Sequence, residues 1–166
     1  MSNIIRPLDI KDWDDVKYIY QQGIDTNIAT FQTAYPPWEE WDISHLGNCR
    51  FVYVLDGRVS GWVMLSAVSN RCAYAGVAEV SIYIANDAKR KGIGTSLLQK
   101  VIQASEECGI WTLQSSIQQG NTASIGLHTK CGFREVGYRE RIAKDKLGTW
   151  KNTVLMERRS ESDRFN

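Results

Sequence analysis

The stretch from Gly76 to Cys108 constrains this chain most. An alternating strand pattern, GVAEVSIYIAN, passes through a basic turn, DAKRKGIG, into a helical one, TSLLQKVIQASEEC. Glycine is unfavourable inside a helix, so Gly92 and Gly94 at the mouth of one imply close access to the backbone. Unpaired amides and the helix dipole favour an anion there, and Lys89, Arg90 and Lys91 add charge at the rim. The competing reading is a plain helix start behind a solvated basic turn. Two other anion-binding designs do not fit. The string G-x-x-x-x-G-K-[ST] is absent, and Leu97 stands where a dinucleotide fingerprint would place its third glycine.

The flanking segments set the fold class. Residues 3–8 read as a strand. Residues 9–24 read as a helix capped by Asp9, with Trp13, Val16, Ile19 and Tyr20 at helical spacing. A loop leads to a short helix over 37–48. Residues 50–68 form a hairpin around Asp56-Gly57. From Thr95 a helical face of Leu97, Leu98, Val101 and Ile102 runs to Cys108-Gly109. A strand (110–117), a helix capped by Asn121 or Thr122 and stopped by Gly132, and two strands around KDKLG follow. The expectation is one mixed α/β domain over 1–166 with much of its sheet antiparallel, its ordered core over 3–157 and a frayed polar tail, 158–166.

Composition narrows the function classes. Twenty basic against nineteen acidic side chains argue against a general nucleic-acid binder. Four cysteines without a C-x-x-C pair, and only two histidines, make a zinc site an unsuitable reading. The first fifteen residues resemble no signal peptide, and no stretch approaches the roughly 18 apolar residues of a membrane span. A cytoplasmic protein with reduced thiols is expected.

Several segments in register carry a resemblance: KRKGIG, the strand AEVSIYI before it, the helix NTASIGLHTKCGF, and KLGTWKN, together with TNIATF and RCAY. The chain resembles the GNAT acetyltransferase superfamily, in particular its phosphinothricin and methionine sulfoximine N-acetyltransferase branch, from about residue 3 to 157. It departs from that pattern at Lys89 (usually Gln or Arg), Gln32 (commonly Glu) and Asn152 (commonly Asp). The resemblance implies a mostly antiparallel central sheet of about seven strands flanked by about four helices, with two strands splayed at an acetyl-CoA site. It also implies a homodimer.

The resemblance assigns Lys89, Arg90, Lys91, Gly92, Ile93, Gly94 and Thr95 to the pyrophosphate. It assigns Ile82, Tyr83 and Ile84 to the pantetheine, with a backbone N–H in this segment facing the thioester carbonyl. Asn121 would bond the pantetheine, or serve only as a helix cap. Glu79 would take the proton of an ammonium, or bind it electrostatically; a solvated strand-end carboxylate is the alternative. His128 stands where other members place a tyrosine acid, and is either that acid or structural. For the acceptor, Arg71 is the candidate grip on a carboxylate. Phe31, Tyr74, Val80, Ser81 and Lys146 complete the substrate side. Trp150 would wall the pocket or fill core, with core the expectation.

The leading expectation is direct, acetyl-CoA-dependent acetylation of the amine of a small amino acid or analogue. No arrangement suggests a covalent acyl-enzyme. A protein N-terminus or polyamine as acceptor, or a non-catalytic acyl-CoA sensor, are the alternatives. A polyamine predicts acidic residues around the pocket; Arg71 and Lys146 predict an acidic acceptor.

Overall fold

The computed structural model describes residues 3–166. In chain order the elements are β1 (Ile4–Pro7), α1 (Trp13–Thr26), α2 (Trp38–Ser44), β2 (Phe51–Leu55), β3 (Arg58–Ala67), β4 (Val77–Ile84), α3 (Ile93–Glu107), β5 (Thr112–Gln118), α4 (Thr122–Lys130), β6 (Arg134–Lys144) and β7 (Trp150–Arg159). The seven strands form one sheet in the order β1-β2-β3-β4-β5-β7-β6. Every adjacent pair is antiparallel except β4 and β5. This is the mixed, mostly antiparallel architecture expected from the sequence.

Directly paired residues share a face, so the register assigns the layers. Trp62 pairs with Tyr83 and Ser66 with Glu79. Tyr20 of α1 and Trp41 of α2 pack edge-on against Trp62, so α1 and α2 cover that face. Gly61 pairs with Ile84 on the other face, where Ile93 and Leu97 of α3 pack close above Gly61. α4 lies on the same side, with Leu127 against Gly94. Leu97, Leu98 and Val101 are fully buried, as their helical spacing required.

Local chemistry moves several boundaries. Asp9 caps a 3-10 turn, Ile10–Asp12, rather than α1 itself. Asp12 closes the capping box and takes both guanidinium nitrogens of Arg6 at 2.8 Å. α3 starts at Ile93, two residues before the expected Thr95. The hairpin turn has positive φ at both Asp56 and Gly57 (50° and 79°), which suits the twist of the strands it joins.

The frayed tail expected from composition is corrected. Ser160 N donates to Trp111 O at 2.8 Å and its hydroxyl to Glu106 at 2.9 Å. Arg164 donates to the carbonyls of Glu106 and Glu107, both at 3.0 Å. These carbonyls end α3 and lack partners within it, so a cation is favoured there. Trp150 is also corrected: it is 54% exposed, not core.

Candidate active site

The sheet opens in its middle. β4 and β5 share only three residue pairs, Val77–Thr112, Ala78–Leu113 and Glu79–Gln114. β4 stays paired with β3 up to Ile84, and β5 with β7 up to Gln118. Each strand follows its own outer partner, so their inner edges part beyond Glu79. A cleft of about 1330 Å³ occupies this opening and passes between the two helical layers.

The α3 end of the cleft is built for an anion. After a 3-10 turn over Asn86–Ala88, the backbone becomes left-handed at Arg90 (φ 64°) and at Gly92 (φ 78°), the residue that precedes α3. The first amide of α3 to find a backbone acceptor is that of Ser96, which donates to Gly92 O at 3.1 Å. Among the described residues, the amides of Gly92, Ile93, Gly94 and Thr95 donate to no carbonyl, and all four residues line the cleft. A Cβ on Gly92 would meet nothing within 4 Å, so the space beside these amides is open. The glycines therefore differ in purpose. Gly92 supplies the conformation, whereas a Cβ on Gly94 would stand 3.1 Å from Leu127 Cδ2, so Gly94 brings α4 against α3. Lys89 and Arg90 lie on the wall; exposed Lys91 does not. An ion pair between Arg58 and Asp87 anchors the turn to β3. Free amides, open space and flanking cations fit a pyrophosphate.

Ile82, Tyr83 and Ile84 line the cleft from β4, opposite Asn121, Leu127 and His128 of the α4 segment. Asn121 Oδ1 caps α4 by accepting from Ser124 N at 3.3 Å. Tyr83 stacks on Trp62 with ring centroids 5.0 Å apart and donates to Ala29 O at 3.2 Å. Burial raises its pKa, so it stays a phenol.

His128 is 2% exposed and has both ring nitrogens engaged. Nδ1–H donates to Ser124 O at 2.7 Å, which leaves Nε2 to accept from the Ser115 hydroxyl at 2.8 Å. Burial lowers its pKa, against a smaller opposing effect of the Ser124 carbonyl. A neutral imidazole so tied has no spare proton to donate. The geometry thus favours the structural alternative over the acid role for His128.

On the acceptor side, Phe31, Glu79, Val80 and Ser81 line the cleft. Glu79 is half-buried at the point where the strands part, and makes no ion pair among the described residues. Arg71, Tyr74 and Lys146 are exposed and off the cleft wall. A short motif fixes a residue's type and order, not how far its loop carries it. Gln32 lines the cleft, whereas Asn152 holds a bulge of β6, accepting from Arg141 N at 2.7 Å and donating to Gln119 at 3.1 Å.

Sequence reasoning missed the contribution of α2. Glu40, Trp41, Ser44 and His45 line the same cleft as Glu79. The signal was present: Trp38, Trp41 and His45 recur at helical spacing.

The acetyltransferase (GNAT) family profile matches residues 10–133. Phosphinothricin N-acetyltransferase of Alcaligenes faecalis is 34% identical over 154 residues, covering 89% of this chain and 77% of that protein. The L-methionine sulfoximine/L-methionine sulfone acetyltransferase of Pseudomonas aeruginosa is 34% identical over 84 residues, 51% of this chain and about half (48%) of that protein. Among solved structures, a GNAT superfamily phosphinothricin acetyltransferase from Sinorhizobium meliloti, in complex with AcCoA, superposes with a TM-score of 0.87 at 27% identity, covering 99% of this chain and 92% of that one.

Proposed function

Because the chain belongs to the acetyltransferase (GNAT) family and is an N-acetyltransferase using acetyl-CoA, we propose that it acts directly on the primary amine of a small amino acid or amino-acid analogue. The observation that carries this reading is Glu79, a half-buried carboxylate without an ion-pair partner among the described residues, placed where β4 leaves β5. Acetyl-CoA supplies an acyl group already activated as a thioester. The protein has to hold it, present a neutral amine and keep both in line.

In this reading the amides of residues 92–95 hold the pyrophosphate, with Lys89 and Arg90 beside them. The free edge of Ile82–Ile84 and the side-chain N–H of Asn121 bond the pantetheine, and one backbone N–H of that edge faces the thioester oxygen. An alkyl ammonium titrates near pH 10, so Glu79 attracts it and takes its proton, which passes to solvent. The C–N bond then forms as the thioester C–S bond breaks. The nitrogen's remaining extra proton and the proton taken up by the departing thiolate are exchanged with solvent. His128 positions Ser115 and the start of α4 rather than donating a proton.

Relatives named for phosphinothricin or methionine sulfoximine support this acceptor class. Arg71, Tyr74 and Lys146 stand off the cleft of one chain, so they reach an acceptor carboxylate only when a second copy packs alongside. Exposed β6, with Val136, Tyr138 and Ile142 each at least 43% accessible, offers a surface for such a homodimer. A cytoplasmic location accords with four free cysteines. A second reading has its own support: the charged residues of the wall around α2 and β4 are Glu40 and Glu79, while its cations lie on α4 and before α3. That distribution suits an amine without a carboxylate, such as a polyamine.

The test is thiol release from acetyl-CoA with free amino acids, their analogues, their carboxyl-blocked esters and polyamines. Turnover confined to free carboxylates supports the first reading; preference for esters or polyamines supports the second. Glu79→Gln should bind acetyl-CoA as before, lose about a hundredfold or more in turnover at pH 7, and recover part of it at high pH. Unchanged turnover at every pH removes Glu79 as the base.

A further inference from the structure

We propose that His45 determines specificity at the far end of the acceptor: its Nε2 accepts a hydrogen bond from an N–H or O–H there, so the enzyme favours an amine carrying a second donor over an isostere carrying only acceptors. This rests on the acetyl-acceptor reading above.

The ring is fixed before any acceptor arrives. Its Nδ1 lies 2.7 Å from Trp41 O and 2.9 Å from Ser44 Oγ. A carbonyl only accepts, so it assigns the hydrogen to Nδ1 and leaves a lone pair on Nε2. The ring lies tilted over Trp41, centroids 4.8 Å apart. Trp41 is 4% exposed and donates to Met64 Sδ at 3.0 Å. Arg50 ties the same segment together, bonding Asp42 and the carbonyls of Asp42, Leu46 and His45. Burial, the largest influence, and the Arg50 charge hold the imidazole pKa below its ordinary value, against the Trp41 carbonyl and Asp42. The ring is therefore neutral at pH 7.

Its place in the fold connects it to the chemistry. The residue after it, Leu46, donates its N–H to Leu65 O at 2.8 Å. The residue after Leu65 is Ser66, which pairs with Glu79. His45 thus adjoins the residue bonded to β3, and Ser66 of β3 is the cross-strand partner of Glu79. All three line the same cleft. With Nδ1 turned back to the helix, the opposite ring edge is the one left to the cleft. Among the described residues Nε2 has no hydrogen-bond partner. An acceptor whose amine lies at Glu79 meets, at its other end, a rigid group that accepts and cannot donate. Such a group rewards a donor and disfavours a lone pair.

Methionine sulfoximine and methionine sulfone form a matched pair, differing in one N–H for one oxygen. Wild-type protein should prefer the sulfoximine by about tenfold in kcat/KM, mostly through KM. His45→Asn places an N–H toward Trp41 O but removes Nε2; it should bring the ratio near unity with the acetyl-CoA Kd unchanged. In wild type, the His45 Nε2 resonance should shift on adding the sulfoximine and not the sulfone, which tests the contact should the variant fail to fold. Equal kcat/KM for the two acceptors in wild type, a preference that survives His45→Asn, or an unmoved resonance overturns the proposal while leaving the acceptor reading intact. Transfer to neither compound sinks the amino-acid reading and this inference with it.

Discussion

Gly92→Ala separates what the protein needs at this position from what the nucleotide needs. Gly92 has φ 78°, and its missing Cβ would touch nothing within 4 Å. In the absence of coenzyme A the methyl group therefore clashes with nothing, and the expected destabilisation is the left-handed penalty alone, about 1–2 kcal/mol. For a chain of this size that lowers Tm by about 2–8 °C. The effect on coenzyme A should be larger. The methyl projects beside the unpaired amides of residues 92–95, and keeping a phosphate from one of them forfeits a hydrogen bond to a charged group, about 1.5–3 kcal/mol. That corresponds to about 10- to 150-fold in Kd. Calorimetry with coenzyme A gives this number, and pantetheine, which lacks the pyrophosphate, serves as the control whose affinity should stay put. Scanning calorimetry gives Tm. A coenzyme A Kd within about threefold of wild type, at a Tm lowered as expected, would refute the placement of the pyrophosphate on these amides.

Three further outcomes follow from other contacts. Asp12 has its pKa lowered mainly by the Arg6 hydrogen bonds; a carboxylate depressed on folding stabilises above its unfolded pKa, near 4, and loses that contribution as pH falls through the folded value. Asp12→Asn should cost about 1–3 kcal/mol at pH 7, the exposed Arg6 limiting the figure, and flatten the acid limb of a Tm–pH curve; an unaltered limb assigns it to other carboxylates. Gln118 is 5% exposed, and neither its side-chain nitrogen nor its oxygen has a partner among the described residues, so Gln118→Leu should stabilise by about 1–2 kcal/mol in thermal unfolding; a fall in Tm would show that water satisfies the amide. His128→Asn should leave the shape of the kcat/KM–pH profile unchanged while lowering Tm, and loss of one limb of that profile would restore the acid role.

The fold was legible wherever a local pattern had one physical solution. Val16, Ile19 and Tyr20 could share a buried stripe only as a helix, and Asp56-Gly57 between two apolar runs could only turn. Gly92 was legible because a glycine at the mouth of a helix is costly unless the backbone there must stay open. What escaped depended on distance or partners. How soon β4 leaves β5 is set by the strands on their outer sides, not by either sequence. Arg71 and Lys146 have the right chemistry for a carboxylate, but their loops leave them off the wall. His45 sits beyond a short helix, and packing against Trp41 rather than any motif of its own brings it to the cleft. The polar tail looked solvated because its partners, the last carbonyls of α3 and Glu106, lie more than fifty residues away in sequence.

The three rungs between β4 and β5 carry a mechanical consequence. The sheet is two blocks, β1 to β4 and β5 to β7, riveted at one end and ajar at the other. A ligand that bonds the inner edge of β4 while touching α4 would act as a removable stitch between them. The gap should breathe when empty and stiffen when filled, and amide deuteration along Val80–Ile84 would register that change without any catalysis taking place.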